Sequence, residues 1–467
     1  MMRYQVRVHA PIAYDQDVIG ELLDDPALPL DHTDRVLAPF ITIDGRIHGL
    51  TSDYLRRYAM ARTNLATAKR IASDLAAWLD FLCNSCSLPP SDDYRDPTLL
   101  ATEDHFARYY RQRQYGTDDQ ALTSDGWKRA ASAIKRFYED AQRVHQHQPP
   151  FEIRSFTHHS GYSGTTIGRY QPRRGNTGSA GTPLTPEYAE LLLMGALRID
   201  LAGQQTTYRG ADRDHAILSL GLGTGLRRNN LANVTTYEIP PLSRLPITTM
   251  RVADRITKGD AGGDAGGDAL AFTHRLHTVH DYTTGARADI VARTTYTPPD
   301  PLDILDTTPA TIRYVHRRTG EITNRRWSDL SETERRRLVT SDGHSPILFL
   351  NEYTGAPLAY SSFQHAVVRA RDFVCKRITP DFPAHFRLHD LRHTYAVHLT
   401  LVILRDVIAD SVPAERREDW TVDRVTSAVE LVKFSLGHAS AASTRLYIQT
   451  AHRFLGIPIE QFIGGGH

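Results

Sequence analysis

Cysteine and lysine are scarce in this 467-residue chain, and it has no long apolar run. Its three cysteines, Cys83, Cys86 and Cys375, cannot build a disulfide framework, which points to a reducing, cytoplasmic setting. Cys83-x-x-Cys86 is half a zinc site with no second half near it and closes an apolar helical run, so core packing is expected and no metal or other cofactor is implied. Only six of the 55 basic residues are lysines, leaving 55 − 6 = 49 arginines, a bias that a GC-rich genome accounts for. The densest apolar run, Leu399 to Leu404, is far too short to span a bilayer, and the opening residues do not read as a signal peptide. No membrane partner is therefore expected. Formal net charge is only +1, so composition alone makes no case for a polyanionic partner; the local field decides that.

What is present is ordinary globular composition, 40% hydrophobic and 23% charged, at a length that predicts two or three domains. Three short stretches carry the chemistry. Arg387-Leu388-His389-Asp390-Leu391-Arg392-His393-Thr394-Tyr395-Ala396 reads as a helix. On it, His389, Arg392 and His393 stand at i, i+3 and i+4, so two imidazoles and a permanently charged guanidinium share one face, suited to an anion with several oxygens. Upstream lies Gly223-Thr224-Gly225-Leu226-Arg227-Arg228. Downstream comes Leu436-Gly437-His438, with Tyr447 nine residues after the histidine.

In this order and with this final spacing, the T-G-L-R, H-x-L-R-H and L-G-H…Tyr stretches resemble the tyrosine recombinases of the phage-integrase family. The resemblance implies a mostly α fold with a small β-sheet (α+β), in two domains that close as a C-shaped clamp on duplex DNA. It implies no cofactor, four protomers acting on two double-stranded DNA attachment sites, accessory DNA-bending or directionality factors, and a nucleoid-associated location. It also implies a site. Tyr447 is the nucleophile, Arg227 and Arg392 hold the non-bridging oxygens, His389 and His438 donate to the phosphate and handle protons, and Lys258 is the general acid. His393 is expected to orient or pack. A free tyrosine titrates near about 10, so the nucleophile needs cationic surroundings and a proton acceptor.

Along the chain, residues 1–50 mix β-like runs (Tyr4 to Val8, Phe40 to Ile43) with an acidic middle and read as a small structural extension. Residues 51–150 read as the helical core-binding domain. Ile71, Leu75, Trp78 and Leu82 recur every three or four residues as one buried stripe. A second helix is expected from Asp104 to Gln114 and a third from about Asp125 to Gln142. On the third, Lys128 and Lys135, and likewise Arg129 and Arg136, are seven apart and form a basic stripe for DNA phosphates. Residues 151–182, rich in Gly, Ser, Thr and Arg, read as a linker whose Arg173 and Arg174 face phosphates. Thr185-Pro186-Glu187 opens the catalytic domain, 183–467. Departures from compact family members are expected near 259–345, which includes a D-A-G-G repeat and a helix around Ser331 to Leu338, and at 401–421. The apolar tail after Tyr447 is expected to dock on a neighbouring protomer.

Three rival readings differ in class. His389-Asp390-x-x-His393 resembles a zinc-protease helix, but that chemistry needs Glu as the base and a third ligand, and Arg392 would repel the dication. A type IB topoisomerase shares the tyrosine chemistry. A catalytically silent DNA-binding regulator would not need every catalytic position filled, as it is here.

Overall fold

The computed structural model describes residues 3–10, 38–61, 65–88, 96–117, 121–157, 163–170, 182–253, 267–407, 422–436, 447, 450–454, 456–458 and 460–464. The fold is mostly α with small sheets. The chain falls into two compact units, Met1–Gly178 and Ser179–His467.

In the first unit, β1 (Val6–His9), β2 (Phe40–Ile43) and β3 (Arg46–Ile47) form an antiparallel sheet, with Val6 opposite Ile43. Four helices follow: α1 (Gly49–Ala61), α2 (Leu65–Asp80), α3 (Glu103–Tyr115) and α4 (Ser124–His145). The stripe of α2 is buried as its spacing predicts, and Leu82 joins it from a single π turn at Phe81–Ser85. The buried Trp78 indole and Tyr138 phenol find partners, whereas the Tyr54 and Tyr109 hydroxyls have none among the described residues. Trp78 Nε1 donates to Tyr138 Oη at 3.2 Å, and Tyr138 donates to the Thr98 carbonyl at 2.9 Å. Cys83 is buried in this core.

Two expectations change here. Ile41 and Ile43 share one apolar core with α2 and α4, so these strands are part of the helical unit. The segment expected as a linker is folded in its first part. β4 (Ile153–Thr157) and β5 (Ser163–Ile167) pair as a hairpin. Phe151, Ile167 and Tyr170 enter the same core, and Trp127 Nε1 donates to the Tyr170 carbonyl at 2.9 Å. Buried aromatics fix this stretch despite its polar average.

In the second unit α5 (Pro186–Leu197) starts as predicted, the Thr185 hydroxyl accepting from Tyr188 N at 3.2 Å. Helix α6 (Ala211–Thr224) is buried along almost its whole length and forms the centre of the unit. After α7 (Arg228–Asn233) come the antiparallel strands β6 (Ile247–Val252) and β7 (Gly267–Phe272), then α8 (Thr273–Thr284) and α9 (Ala286–Arg293).

The expected insertion contains β8 (Leu302–Thr307), β9 (Thr311–His316), β10 (Ile322–Arg326), α10 (Glu332–Arg337) and β11 (Leu338–Val339). The sheet runs β10-β9-β8-β11, with β11 parallel to β8, over its own small core of Leu302, Ile312, Tyr314, Trp327, Leu330 and Leu338. The chain then forms α11 (Tyr360–Arg377), α12 (Leu388–Val402), α13 (Val422–Leu436) and α14 (Glu460–Ile463).

The tail expected to dock on a neighbour packs on its own chain. Phe454 and Phe462 are buried in the core formed by α12 and α13, and the Phe462 ring meets His398 edge-on at 4.9 Å. Among the described residues no helix is long and apolar enough to cross a membrane, and no group of three metal-ligating side chains occurs.

Candidate active site

Three helix ends build the site. Helix α6 stops at Gly225, whose φ of +62° lies in the left-handed region that glycine enters without strain. A Cβ there would fall 2.2 Å from Cδ1 of the fully buried Tyr395. The turn delivers Arg227, extended at φ −70° and ψ 157°, as the N-cap of α7. Helix α12 starts one residue after Arg387, whose N–H donates to Asp390 Oδ2 at 2.7 Å, and so displays His389, Arg392 and His393 along its first turns. Helix α13 ends at Leu436.

Arg392 ties the three ends together. Its side chain is 5% exposed; Nη1 donates to the Gly225 carbonyl at 2.8 Å and Nη2 to the Leu436 carbonyl at 2.5 Å. A buried guanidinium is tolerated when such acceptors meet its fixed fork of donors. Support from behind comes from Tyr395, which shares a hydrogen bond of 2.7 Å with Ser435 and donates to the Leu270 carbonyl. Thr394 accepts from Leu184 N at 3.0 Å, and His398 bonds the Leu184 carbonyl at 2.8 Å.

Tyr447 stands beside this cluster, 5% exposed. The His393 ring lies 5.5 Å from its ring, and the His389 ring meets His393 edge-on at 4.6 Å. Burial pushes the Tyr447 phenol above its usual range, while the charges of Arg392 and Arg227 pull it back. Partial burial, with Arg392 and Arg227 adding to it, holds the His389 imidazole below its usual range against the pull of Asp390. The assembled groups are two guanidiniums, two imidazoles and a phenol, the inventory an anionic phosphoester needs for charge neutralisation and nucleophilic attack.

Of the six expected site residues, Arg227, His389, Arg392 and Tyr447 come together; Lys258 and His438 lie outside the described residues, as do Arg173 and Arg174. The β6–β7 pairing brackets the segment that carries Lys258, and the α13 end precedes His438. His393, expected to orient or pack, stands between His389 and Tyr447. Sequence reasoning missed the Gly225 and Leu436 carbonyls, because backbone acceptors leave no residue signature.

The basic stripe of the first unit is altered. Lys135 is not part of an open cationic face: its ammonium donates to the Thr165 carbonyl at 3.0 Å and to Glu139 at 3.3 Å, and its side chain is 12% exposed. It fastens α4 to the β4–β5 hairpin. Lys128, Arg129 and Arg136 are exposed. Arg129 lies 3.6 Å from Asp74, whose carboxyl burial pushes up while Arg129, Arg70 and Arg113 pull it down. Arg70 and Arg113 are thus basic neighbours of the stripe that linear spacing on one helix could not reveal.

No family model and no curated protein matches this chain. Among solved structures, it is similar to the XerH site-specific recombinase in a post-cleavage complex with palindromic difH substrate. That likeness has 13% identity and a TM-score of 0.47, and covers 87% of this chain and 82% of that one. The Tn1549 transposon integrase bound to transposon right end DNA is similar at 11% identity and TM-score 0.44, covering 87% and 96%. A lambda integrase dimer on a COC′ core site shows 12% identity and TM-score 0.42, covering 86% and 94%. Likenesses this distant carry no weight for the chemistry; the side chains do.

Proposed function

We propose that this protein is a site-specific tyrosine recombinase or integrase that cuts and rejoins duplex DNA through a 3′-phosphotyrosyl intermediate. The observation that carries the reading is the junction at Arg392. One buried guanidinium gathers the end of the T-G-L-R turn, the H-x-L-R-H helix and the helix before L-G-H, with Tyr447 beside it. A buried guanidinium can join distant stretches for packing alone; what favours an anion site here is that Arg227, His389 and Tyr447 are gathered with it, the charges of both arginines acting on the phenol and the imidazole.

In this mechanism Tyr447 Oη attacks phosphorus, a phosphotyrosyl bond forms, and the 5′ oxygen leaves. Arg227 and Arg392 neutralise charge on the non-bridging oxygens. Partly buried His389 is disposed to be a neutral imidazole near pH 7, able to donate from one nitrogen and accept at the other. His438 would assist at the phosphate and Lys258 would protonate the leaving oxygen. A 5′ hydroxyl from a second strand then reverses the step, so bond energy is conserved and no ATP is consumed. Both units would contact the duplex, four protomers would join two attachment sites, and accessory factors would set direction.

Covalent trapping tests this. The protein is incubated in EDTA with a nicked suicide duplex carrying the DNA that flanks its gene, beside Tyr447→Phe. A shifted band on a denaturing gel, lost in the variant, is expected. DNA binding with no band in either protein would favour a silent regulator, and a band that survives in the variant would mean another nucleophile.

A further inference from the structure

At the N-terminal end of α6, away from Arg227, lies a second concentration of arginines that the proposed reaction does not use. Fourteen residues at about 1.5 Å each put roughly 20 Å between the two ends of this helix. Gly210 is its N-cap and supplies no side-chain cap; Ala211 N donates instead to the Tyr208 carbonyl at 3.1 Å, and Asp212 and Asp214 stand in the first turn. A Cβ on Gly210 would come within 2.5 Å of Arg213 Nη2, so glycine lets that guanidinium lie over the helix start.

Arg213 is 8% exposed and stands between two carboxylates, 3.1 Å from Asp214 and 3.4 Å from Glu352. Asp214 is already taken by Arg369, at 2.6 Å. The buried Nε of Arg213 has no hydrogen-bond partner among the described residues. Glu352, also 8% exposed, faces three guanidiniums: Arg213 Nη1 lies 3.4 Å from Oε1, and Arg293 Nη2 donates to the Glu352 backbone carbonyl at 3.2 Å and not to its carboxylate. Arg209 and Arg293 stop 4.0 and 3.9 Å from the same oxygen, Oε2, about 1 Å beyond a charge-assisted hydrogen bond. Both are nearly half exposed, and Arg209 stacks 4.6 Å over the outward-facing Tyr353 ring. Arg209, Arg213, Arg293 and Arg369 thus gather around Asp214 and Glu352, and the two most exposed, Arg209 and Arg293, lie at the mouth with no carboxylate among the described residues bonded to either at hydrogen-bond distance.

We propose that the mouth between Arg209 and Arg293 is a phosphate-binding site separate from the candidate active site. Because both guanidiniums lie within 4.0 Å of one oxygen, they are no more than about 8 Å apart, a span that a phosphate group bridges with one oxygen to each. Glu352 tempers the site: it keeps the arginines poised with no ligand bound and competes with the phosphate when one arrives. Burial raises the Glu352 carboxyl's pKa against the pull of Arg213, Arg209 and Arg293, which eases that competition.

The phosphate could belong to a DNA backbone or to a free phosphate compound, and one experiment separates the two. Inorganic phosphate is titrated calorimetrically, at constant ionic strength, into the wild-type chain, Arg209→Gln/Arg293→Gln and Glu352→Gln. Phosphate also has partners at Arg227 and Arg392, so the differences between proteins are read. The double variant should lose on the order of tenfold or more in affinity at this site, and Glu352→Gln should gain by a similar factor. A cluster that exists only to neutralise Glu352 gives the opposite pattern: Glu352→Gln lowers the melting temperature and leaves phosphate affinity unchanged, which overturns the proposal. Duplex DNA is then titrated over a range of salt. A log–log salt slope reduced by about two in the double variant identifies a DNA backbone as the source, and an unchanged slope with lost phosphate binding identifies a free phosphate compound. Phosphate binding is independent of strand cleavage, so this result stands whether or not Tyr447 forms a covalent complex.

Discussion

Replacing Gly225 by alanine perturbs the site through a single methyl group. The residue sits at φ +62°, where a Cβ adds about 1–2 kcal/mol of backbone strain. The same Cβ would approach Cδ1, Cε1 and Cγ of Tyr395 at 2.2, 2.9 and 3.0 Å. That ring cannot step aside cheaply, because it is fully buried and its hydroxyl is bonded to Leu270 and Ser435. Breaking those bonds or distorting the packing adds about 1–3 kcal/mol, for a total of about 2–5 kcal/mol. Urea denaturation measures the loss. Tyr395→Leu in the same chain removes the ring carbons that the methyl strikes. The double variant should therefore be less destabilised than the sum of the two single changes, a coupling of about 1 kcal/mol or more. The Gly225 carbonyl also accepts from Arg392, so covalent-complex formation should fall further than stability alone explains. A Gly225→Ala protein within about 1 kcal/mol of wild type, or strict additivity with Tyr395→Leu, would refute the reasoning.

Asp96 offers a pH test in the first unit. Burial raises its pKa, but the hydrogen bond and charge of His48, at 2.9 Å, and the bonds from Thr98 outweigh this and hold it below the usual carboxylate range. Its stabilisation is therefore complete above the unfolded value near 3.9 and fades as pH falls through the lower folded value. Asp96→Asn should be clearly destabilising in urea at pH 7, and its penalty should shrink progressively as pH is lowered below about 3.9; a penalty that does not change with pH would exclude the assignment. Lys135→Met should lower the melting temperature and leave the salt dependence of DNA binding unchanged, because its ammonium is spent on Thr165 and Glu139. Arg136→Ala, at an exposed position, should keep the melting temperature and reduce the salt slope by about one. The depressed His389 predicts single-turnover cleavage without an imidazole-type limb between pH 6.5 and 8, checked by quenched-flow gels; a midpoint above 6.5 that vanishes in His389→Gln would contradict it.

Much of the fold was legible where one physical signal dominates. The stripe on α2 and the Thr185-Pro186 helix start depend on local spacing and capping, and both form as read. The motif residues Arg227, His389, Arg392 and Tyr447 could be named from order and spacing, and the structure gathers them. Averaged composition failed at residues 151–170, because a polar segment needs only three apolar anchors to join a core. Periodicity placed Lys135 on a basic face of α4 but could not show that Thr165 covers it. The tail's apolar residues announced burial but were assigned to a neighbouring protomer; Phe454 and Phe462 are instead buried in the chain's own α12–α13 core, because an apolar pattern carries no information on which surface covers it.

The inserted sheet shows a further limit, and its resolution bears on the site. The helix expected around Ser331 to Leu338 forms as Glu332–Arg337, and Arg335, the first of its three arginines, is fully buried, which its charged sequence does not announce. A guanidinium has five N–H donors, and here they meet five acceptors. Nη1 bonds Glu238 Oε2 at 2.6 Å and the Asn233 carbonyl at 3.1 Å. Nη2 bonds Glu238 Oε1 at 2.9 Å and the Trp327 carbonyl at 2.5 Å, and Nε bonds the Leu330 carbonyl at 3.3 Å. Full satisfaction is the condition under which a buried cation is sustained. Arg336 adds bonds to the Ala232 carbonyl and the Asn233 side chain. Three of these acceptors lie at the far end of α7, the six-residue helix that Arg227 caps. Its Arg227 end follows the Gly225 turn held by Arg392, and its Asn233 end is fixed by the insertion. A helix of under two turns held at both ends cannot tilt without breaking buried charge-assisted bonds. The β8–β11 element with α10 is therefore part of what sets the position of Arg227.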